Sequence, residues 1–206
     1  NAPATEPKDP GALSDTTVDV LVIGAGGAGL AAAVSATEAG ASVIVVEKLA
    51  ATGGNTLICG GAFNSADPEL QQNVVMTDAL ATVVEGVLAH EDVSPEHAAL
   101  KAEVQAQWEE YKASGRTDLF DTPQWHALQT LDAGDYLGDV ELVRTLTENT
   151  LDTLHWLEEN GVEWAPEVST VVGALWNRSH QTPNVSGADI VAALENTAKE
   201  NGALLY

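Results

Sequence analysis

An α/β fold with a parallel sheet is predicted by three observations along one stretch of this 206-residue chain. First, an apolar run from Asp19 ends in glycine and opens the pattern G-x-G-x-x-G at Gly24, Gly26 and Gly29. Second, an alanine-rich segment follows to Ala39 and stops at Gly40, which suits a helix. Third, a new apolar run, Val43 to Val46, ends in Glu47. Strand, tight turn, helix, strand and acid, in that order, describe a βαβ unit, and such units build parallel sheets covered by helices.

Each part of the unit has a physical task. Gly24 permits the sharp turn out of the first strand. Gly26 carries no Cβ, so a pyrophosphate can rest against the backbone, and Gly29 lets the helix pack closely on the sheet. The helix N-terminus, around Gly27 and Ala28, presents unpaired N–H groups and a partial positive charge. Glu47 lies 23 positions after Gly24, at the end of the second strand. A carboxylate there accepts hydrogen bonds from ribose hydroxyls, and an acid in place of a base disfavours a 2′-phosphate. A strand–helix turn with no ligand would use the same first glycine. The strand before, the helix after and the acid beyond favour a Rossmann-like dinucleotide-binding unit.

After Glu47 and Lys48 the chain runs through Thr52-Gly53-Gly54-Asn55-Thr56 and then Gly60-Gly61. An NAD domain would proceed to its next helix; a glycine-rich loop is expected here, able to approach a flat ring system. The arrangement resembles the FAD-binding domain of the fumarate reductase and succinate dehydrogenase flavoprotein family. That pattern is an acid and Lys, a short spacer, Gly-Gly-Asn-Ser/Thr, and Gly-Gly a few residues on. The resemblance implies that Ala28 and the glycines around it (Gly24, Gly26, Gly27, Gly29) contact the FAD diphosphate and that Glu47 holds the ribose. It implies that Asn55, Thr56, Gly60 and Gly61 line the flavin, with Lys48, Gly53 and Gly54 completing the cofactor-binding set. Membrane-bound members attach FAD through a His in this loop. Asn55-Thr56 stands there in this chain, as in the soluble flavocytochrome-type members, which implies non-covalent FAD. The implied fold is a three-layer, Rossmann-like FAD-binding domain with an inserted helical segment, incomplete in this chain.

Composition narrows the classes. Hydrophobic residues make up 45% of the chain, ample for a core, and the formal net charge is −23. Such an acidic balance opposes binding to nucleic acid and to anionic membranes. No apolar run reaches the length that spans a bilayer. The single cysteine, Cys59, excludes an internal disulfide framework and a cysteine-only metal site. It is expected to be a small buried residue. His90, His97, His126, His155 and His180 show no H-x-x-x-H spacing, so no metal site is expected. No G-x-S-x-G and no P-loop lysine occurs, leaving hydrolase and phosphotransfer readings without support. The tryptophans (Trp108, Trp125, Trp156, Trp164, Trp176) form no stripe and are expected as core or interface anchors.

In chain order, residues 1–17 read as a Pro-, Ala- and Thr-bearing linker, with Asn1-Ala2 a tag remnant. Residues 18–206 read as the N-terminal part of the FAD-binding domain, with a helical segment over about 77–160. Ala66-Asp67-Pro68 breaks the pattern, and a helix is predicted over Thr77–Ala89. Ser94-Pro95 starts another, which ends at Gly115, and Thr122-Pro123 starts a third. Asp139 opens a longer helix that ends at Gly161. Its Val140, Val143, Leu146, Thr150, Leu154 and Leu157 recur at spacings of three and four, so these are expected on a buried face. Asp189 to Asn201 is a further amphipathic helix, and Ala203 to Tyr206 begins as a strand with an open, aggregation-prone edge. Arg178-Ser179-His180 is expected in a loop, with either a site role or local hydrogen bonding.

The segments Thr122–Trp164 and Ala174–His180 also resemble the soluble branch of the family. The resemblance covers Asp19 to Tyr206 but only the first part of the family's polypeptide. The proton-donating Arg and most substrate-binding residues belong to later parts, so the catalytic residues stay unknown. It implies a small unsaturated acid as substrate, an electron-donor protein or flavin domain as partner, and FMN on an upstream domain. It also implies an extracytoplasmic location, periplasmic or cell-surface, with the cytoplasm as the alternative. A ketosteroid-type dehydrogenase of the same fold, an NAD-dependent dehydrogenase and a non-enzymatic flavin module are the rival readings.

Overall fold

The structure is a computed structural model and describes residues 16–172 and 176–206. The expected linker therefore falls, except for residues 16 and 17, outside the described residues, as does part of the Ala174–His180 segment. In chain order the elements are β1 (Val20–Ile23), α1 (Gly27–Glu38), β2 (Val43–Val46), α2 (Gly54–Ile58), β3 (Phe63–Asn64), α3 (Pro68–Gln71), α4 (Asp78–Leu88), α5 (Pro95–Ser114), α6 (Pro123–Ala133), α7 (Val140–Glu159), β4 (Ser179–His180), α8 (Gly187–Glu200) and β5 (Leu204–Leu205). The chain divides into two compact units. Of the described residues, one unit comprises 16–62 together with Leu157–Trp164 and Gln181–Tyr206; the other comprises Phe63–Trp156 and the described part of 165–180.

The first unit holds the predicted βαβ. Its sheet has the order β1-β2-β5, all parallel, with Val20 opposite Val43 and Ile44 opposite Leu204. β2 is central, and Val43, Ile44 and Val45 are all buried, as an interior parallel strand requires. α1 buries Leu30, Ala33 and Val34 and packs against α8, which buries Val191, Leu194 and Ala198. β1 is half covered. Leu21 and Ile23, on the sheet face opposite Val22, are 57% and 83% exposed.

The second unit is mostly helical around an aromatic core. Trp108 stacks on Tyr111 with ring centroids 5.2 Å apart, and Phe120 meets both. Trp125 meets Trp176 edge-on at 5.3 Å, and the Trp176 indole donates to the Phe120 carbonyl at 3.0 Å. Helix starts follow the cap chemistry: Thr77, Ser94 and Thr122 each accept an amide from the first turn of α4, α5 and α6. β3 and β4 form a short antiparallel pair, Phe63 opposite His180.

Four expectations change. The break at Ala66-Asp67-Pro68 is a helix start, because the Asp67 carboxylate accepts from the Glu69 and Leu70 amides and caps α3. Part of the glycine-rich loop winds into α2. Arg178-Ser179-His180 lies partly in β4. On α7, Leu146 is 60% exposed and Thr147 is buried in its place. A strict three–four alternation from Val143 reaches 147, not 146, and then 150, 154 and 157.

Candidate functional site

The turn out of β1 lies against the end of β2. Gly24 has φ +102°, and its amide donates to the Val46 carbonyl at 2.7 Å. That left-handed conformation is the one the first glycine of the motif is needed for. Gly29 serves close approach instead: a Cβ there would overlap the Gly24 carbonyl oxygen and lie 3.2 Å from Val22 Cγ1. The N-cap of α1 is Gly26. It brings no side chain to the first-turn amides, and that turn carries no acidic residue. α3, α4, α5, α6 and α8 have such a side chain in Asp67, Thr77, Ser94, Thr122 and Ser186. The positive end of α1 is thus left for an anion of another origin.

Glu47 closes this turn. Its Oε2 accepts from the Ala25 amide and its Oε1 from the Leu49 amide, both at 2.9 Å. The Leu49 and then the Ala25 hydrogen bond hold the carboxyl below its usual value. A carboxylate accepts about four hydrogen bonds, so Glu47 fixes the turn and keeps acceptor capacity for hydroxyl groups.

The second glycine motif folds directly onto the first. The Gly53 amide donates to the Ala25 carbonyl at 2.6 Å, and Gly26 and Gly53 form an isolated parallel bridge. Gly53 has φ +100° at the N-cap of α2. A Cβ on Gly27 would lie 2.7 Å from Thr56 Oγ1. Of the residues singled out in the sequence, Gly24, Gly26, Gly27, Gly29, Glu47, Gly53, Gly54 and Thr56 therefore come together. Ala28 is exposed on the first turn of α1, and Lys48, Asn55 and Gly60 are exposed as well; the Lys48 backbone and charge also act on the Glu47 carboxylate. Gly61 is buried where a Cβ would lie 2.6 Å from the Ser186 carbonyl carbon. Cys59 is exposed, not buried as expected, because it caps a single helical turn at the surface.

Sequence reasoning missed the backing of this loop. Thr52 Oγ1 donates to Glu195, the Gly187 amide donates to the Cys59 carbonyl at 3.0 Å, and Val191 packs on Gly53. The signal available was Ser186-Gly187, a helix start whose glycine has no task in an isolated helix. Taken together, a glycine turn without Cβ atoms, an uncapped helix N-terminus and an acid with spare acceptors fit a cofactor carrying a pyrophosphate and a ribose.

The second unit holds a separate buried polar cluster. Arg178 donates to Asp121 through Nε at 3.0 Å and Nη2 at 2.8 Å, and Nη2 also reaches Gln129 at 2.6 Å. Burial pushes the Asp121 carboxyl up to about 6 against the pull of Arg178. His180 Nε2 lies 3.1 Å from Asp67 Oδ2. Burial opposes ionisation of Asp67, but His180 and the Leu70 and Glu69 amides outweigh it and hold the carboxyl below its usual value. The Arg178 and His180 side chains are thus engaged inside the unit and tie α6, α3 and β4 together. Among the described residues no group of three His, Cys, Asp or Glu could hold a metal ion, and no helix is long and apolar enough to cross a membrane.

Known proteins carry the same framework. NADH:acrylate oxidoreductase of Vibrio harveyi is 32% identical over 93% of this chain and 20% of its own length. Fumarate reductase (cytochrome) of Shewanella frigidimarina is 30% identical over 90% of this chain and 25% of its own length. Urocanate reductase of Eggerthella lenta is 28% identical over 94% and 25%. Among solved structures, the open conformation of a flavocytochrome c3 fumarate reductase superposes with a TM-score of 0.62 at 27% identity, over 95% of this chain and 28% of that one. The chain thus spans about a fifth to a quarter of the curated relatives it matches. The family model described as FAD dependent oxidoreductase matches residues 19–206, from the first residue of the βαβ unit to Tyr206, and the chain belongs to that family.

Proposed function

We propose that this chain forms the FAD-binding portion of a reductase that saturates the double bond of a small unsaturated acid such as fumarate, acrylate or urocanate. The observation that carries the proposal is the Gly26–Gly53 bridge, which makes the diphosphate turn and the second glycine motif one surface. Relatives named for reduction of each of these acids support the substrate class. The amides at the start of α1 bind the diphosphate, and the backbone of Gly26 lets it approach. Glu47 accepts the ribose hydroxyls. Asn55, Thr56, Gly60 and Gly61 border the ring system, and Asn55, in the place of an attaching His, leaves it non-covalently held. When bound, FAD supplies hydride transfer to the substrate double bond.

Electrons arrive from a donor protein or from FMN on another domain, and the protein works outside the cytoplasm; both rest on the family resemblance alone, and cell fractionation tests the second. The central test is an absorption spectrum of the purified full-length polypeptide, followed by viologen-driven assays with the three acids. Bands at about 370 and 450 nm mark a flavin. Such bands without turnover on any acid would remove the substrate class and leave the cofactor. A protein without them would remove both.

A further inference from the structure

We propose that the turn from Thr182 to Gly187 is a second wall of the FAD site. In it Gly187 sets the depth of the Gly53–Gly61 loop, and Val185 offers the cofactor an apolar contact. The inference rests on the FAD reading above.

Val185 has φ +51°. For a β-branched residue the left-handed region is a true outlier, since its branched side chain crowds the backbone. Strain of this kind persists where surroundings enforce it, and here they do. The Val185 amide donates to the Thr182 carbonyl at 2.9 Å. The Ser186 amide donates to Thr182 Oγ1 at 3.2 Å, and that hydroxyl donates to the Ser186 carbonyl at 3.1 Å. Thr182 itself is buried. The strained side chain gains little in return from the protein, because Val185 remains 57% exposed. Glycine or asparagine would hold the same turn without the penalty. Exposed apolar surface on a strained residue is accounted for if a ligand covers it.

The turn stands against the loop assigned to the flavin. A Cβ on Gly187 would overlap the Thr56 carbonyl oxygen and lie 2.6 Å from Cys59 Sγ. A Cβ on Gly61 would likewise lie 2.6 Å from the Ser186 carbonyl carbon. Thr56 in turn touches Gly27 at the start of α1. A displacement at Gly187 therefore passes through Thr56 to the helix N-terminus. Val185 directly precedes Ser186, the residue that lies against Gly61 of this loop. Its apolar side chain suits a flat ring system and not a diphosphate. Val185 is thus a contact residue and Gly187 a positioning residue.

The test compares full-length wild-type protein with Val185→Asn and Gly187→Ala after removal and titration of FAD. Asparagine tolerates the left-handed backbone, so V185N should melt, as apoprotein, at the wild-type temperature or above. It should bind FAD roughly tenfold more weakly, from the loss of one apolar contact, and alter the long-wavelength flavin band. G187A should weaken binding further by displacing Thr56; if it fails to fold, V185N still decides. V185N that binds FAD with wild-type affinity and an unchanged band overturns this inference alone. Wild-type protein that takes up no FAD overturns the cofactor reading and this inference with it.

Discussion

At the scale of single residues, Glu47 carries two duties at once. It ties Ala25 to Leu49 through its own oxygens, and in the function proposed above its remaining lone pairs accept the ribose hydroxyls. Arginine has donors only, so Glu47→Arg should break the turn's closure and abolish the ribose contact together. Flavin-to-protein ratio in the purified full-length variant should fall to near zero; wild-type occupancy would refute the assignment. His126 gives a prediction of a different kind. Burial first, and the charge of Arg178 second, push its imidazole down from 6.5 to about 3. It is neutral when folded and gains a proton when unfolded below pH 6.5. Stability from this group is thus complete above the unfolded value and is lost as pH falls towards the folded one. Between pH 7 and 5 wild-type protein should lose about 1–2 kcal/mol more in urea unfolding than His126→Leu does. Equal losses would show that His126 is not buried neutral. Neither role was fully legible in the sequence. The acid's position suggested a ribose partner, but the bond to Ala25 depends on how the turn closes in space.

At the scale of elements, local chemistry was readable and long-range pairing was not. Ser94-Pro95 and Thr122-Pro123 mark their helices because capping is decided within one turn. The βαβ unit was readable from its apolar runs and glycine spacing, although β1 and β2 pair across 23 positions. β3 and β4 were not, since two residues have no period and Ser179 finds Asn64 across 115 positions. The Gly187–Thr56 contact that backs the candidate site escaped for the same cause. On α7 the error was one of polarity. Thr147 looks unsuited to a buried stripe, yet its hydroxyl is satisfied by the Arg144 carbonyl, and Thr150 donates back to Thr147. Leu146 drew the stripe away by hydrophobicity alone. Truncation separates the two faces. Leu154→Ala, at a buried position, should cost about 2–4 kcal/mol, and Leu146→Ala should stay within about 0.5 kcal/mol. Chemical denaturation of both variants measures this, and a reversed order would restore the expected register.

At the scale of the whole molecule, an apolar sheet face and an acidic surface oppose each other. Parallel sheets are normally covered on both sides. In the first unit α1 packs over the Val22 side, while Leu21, Ile23 and Leu204 on the other side remain exposed. Such a face favours association, and the net charge of −23 resists it. Charge repulsion between exposed groups is screened over about 10 Å at 0.1 M salt and about 3 Å at 1 M, whereas apolar burial survives. Expressed alone, these 206 residues should therefore sediment mainly as monomer at low salt and self-associate as salt rises. Ile23→Lys should suppress the association by placing a charge on this face. In the full-length polypeptide, with relatives four to five times as long, the same face is expected to be covered. There Ile23→Lys should act in the opposite sense and destabilise the protein, because an unpaired ammonium would be buried. Salt-independent monomers, or a lysine variant neutral in both settings, would show that this face has no partner to meet.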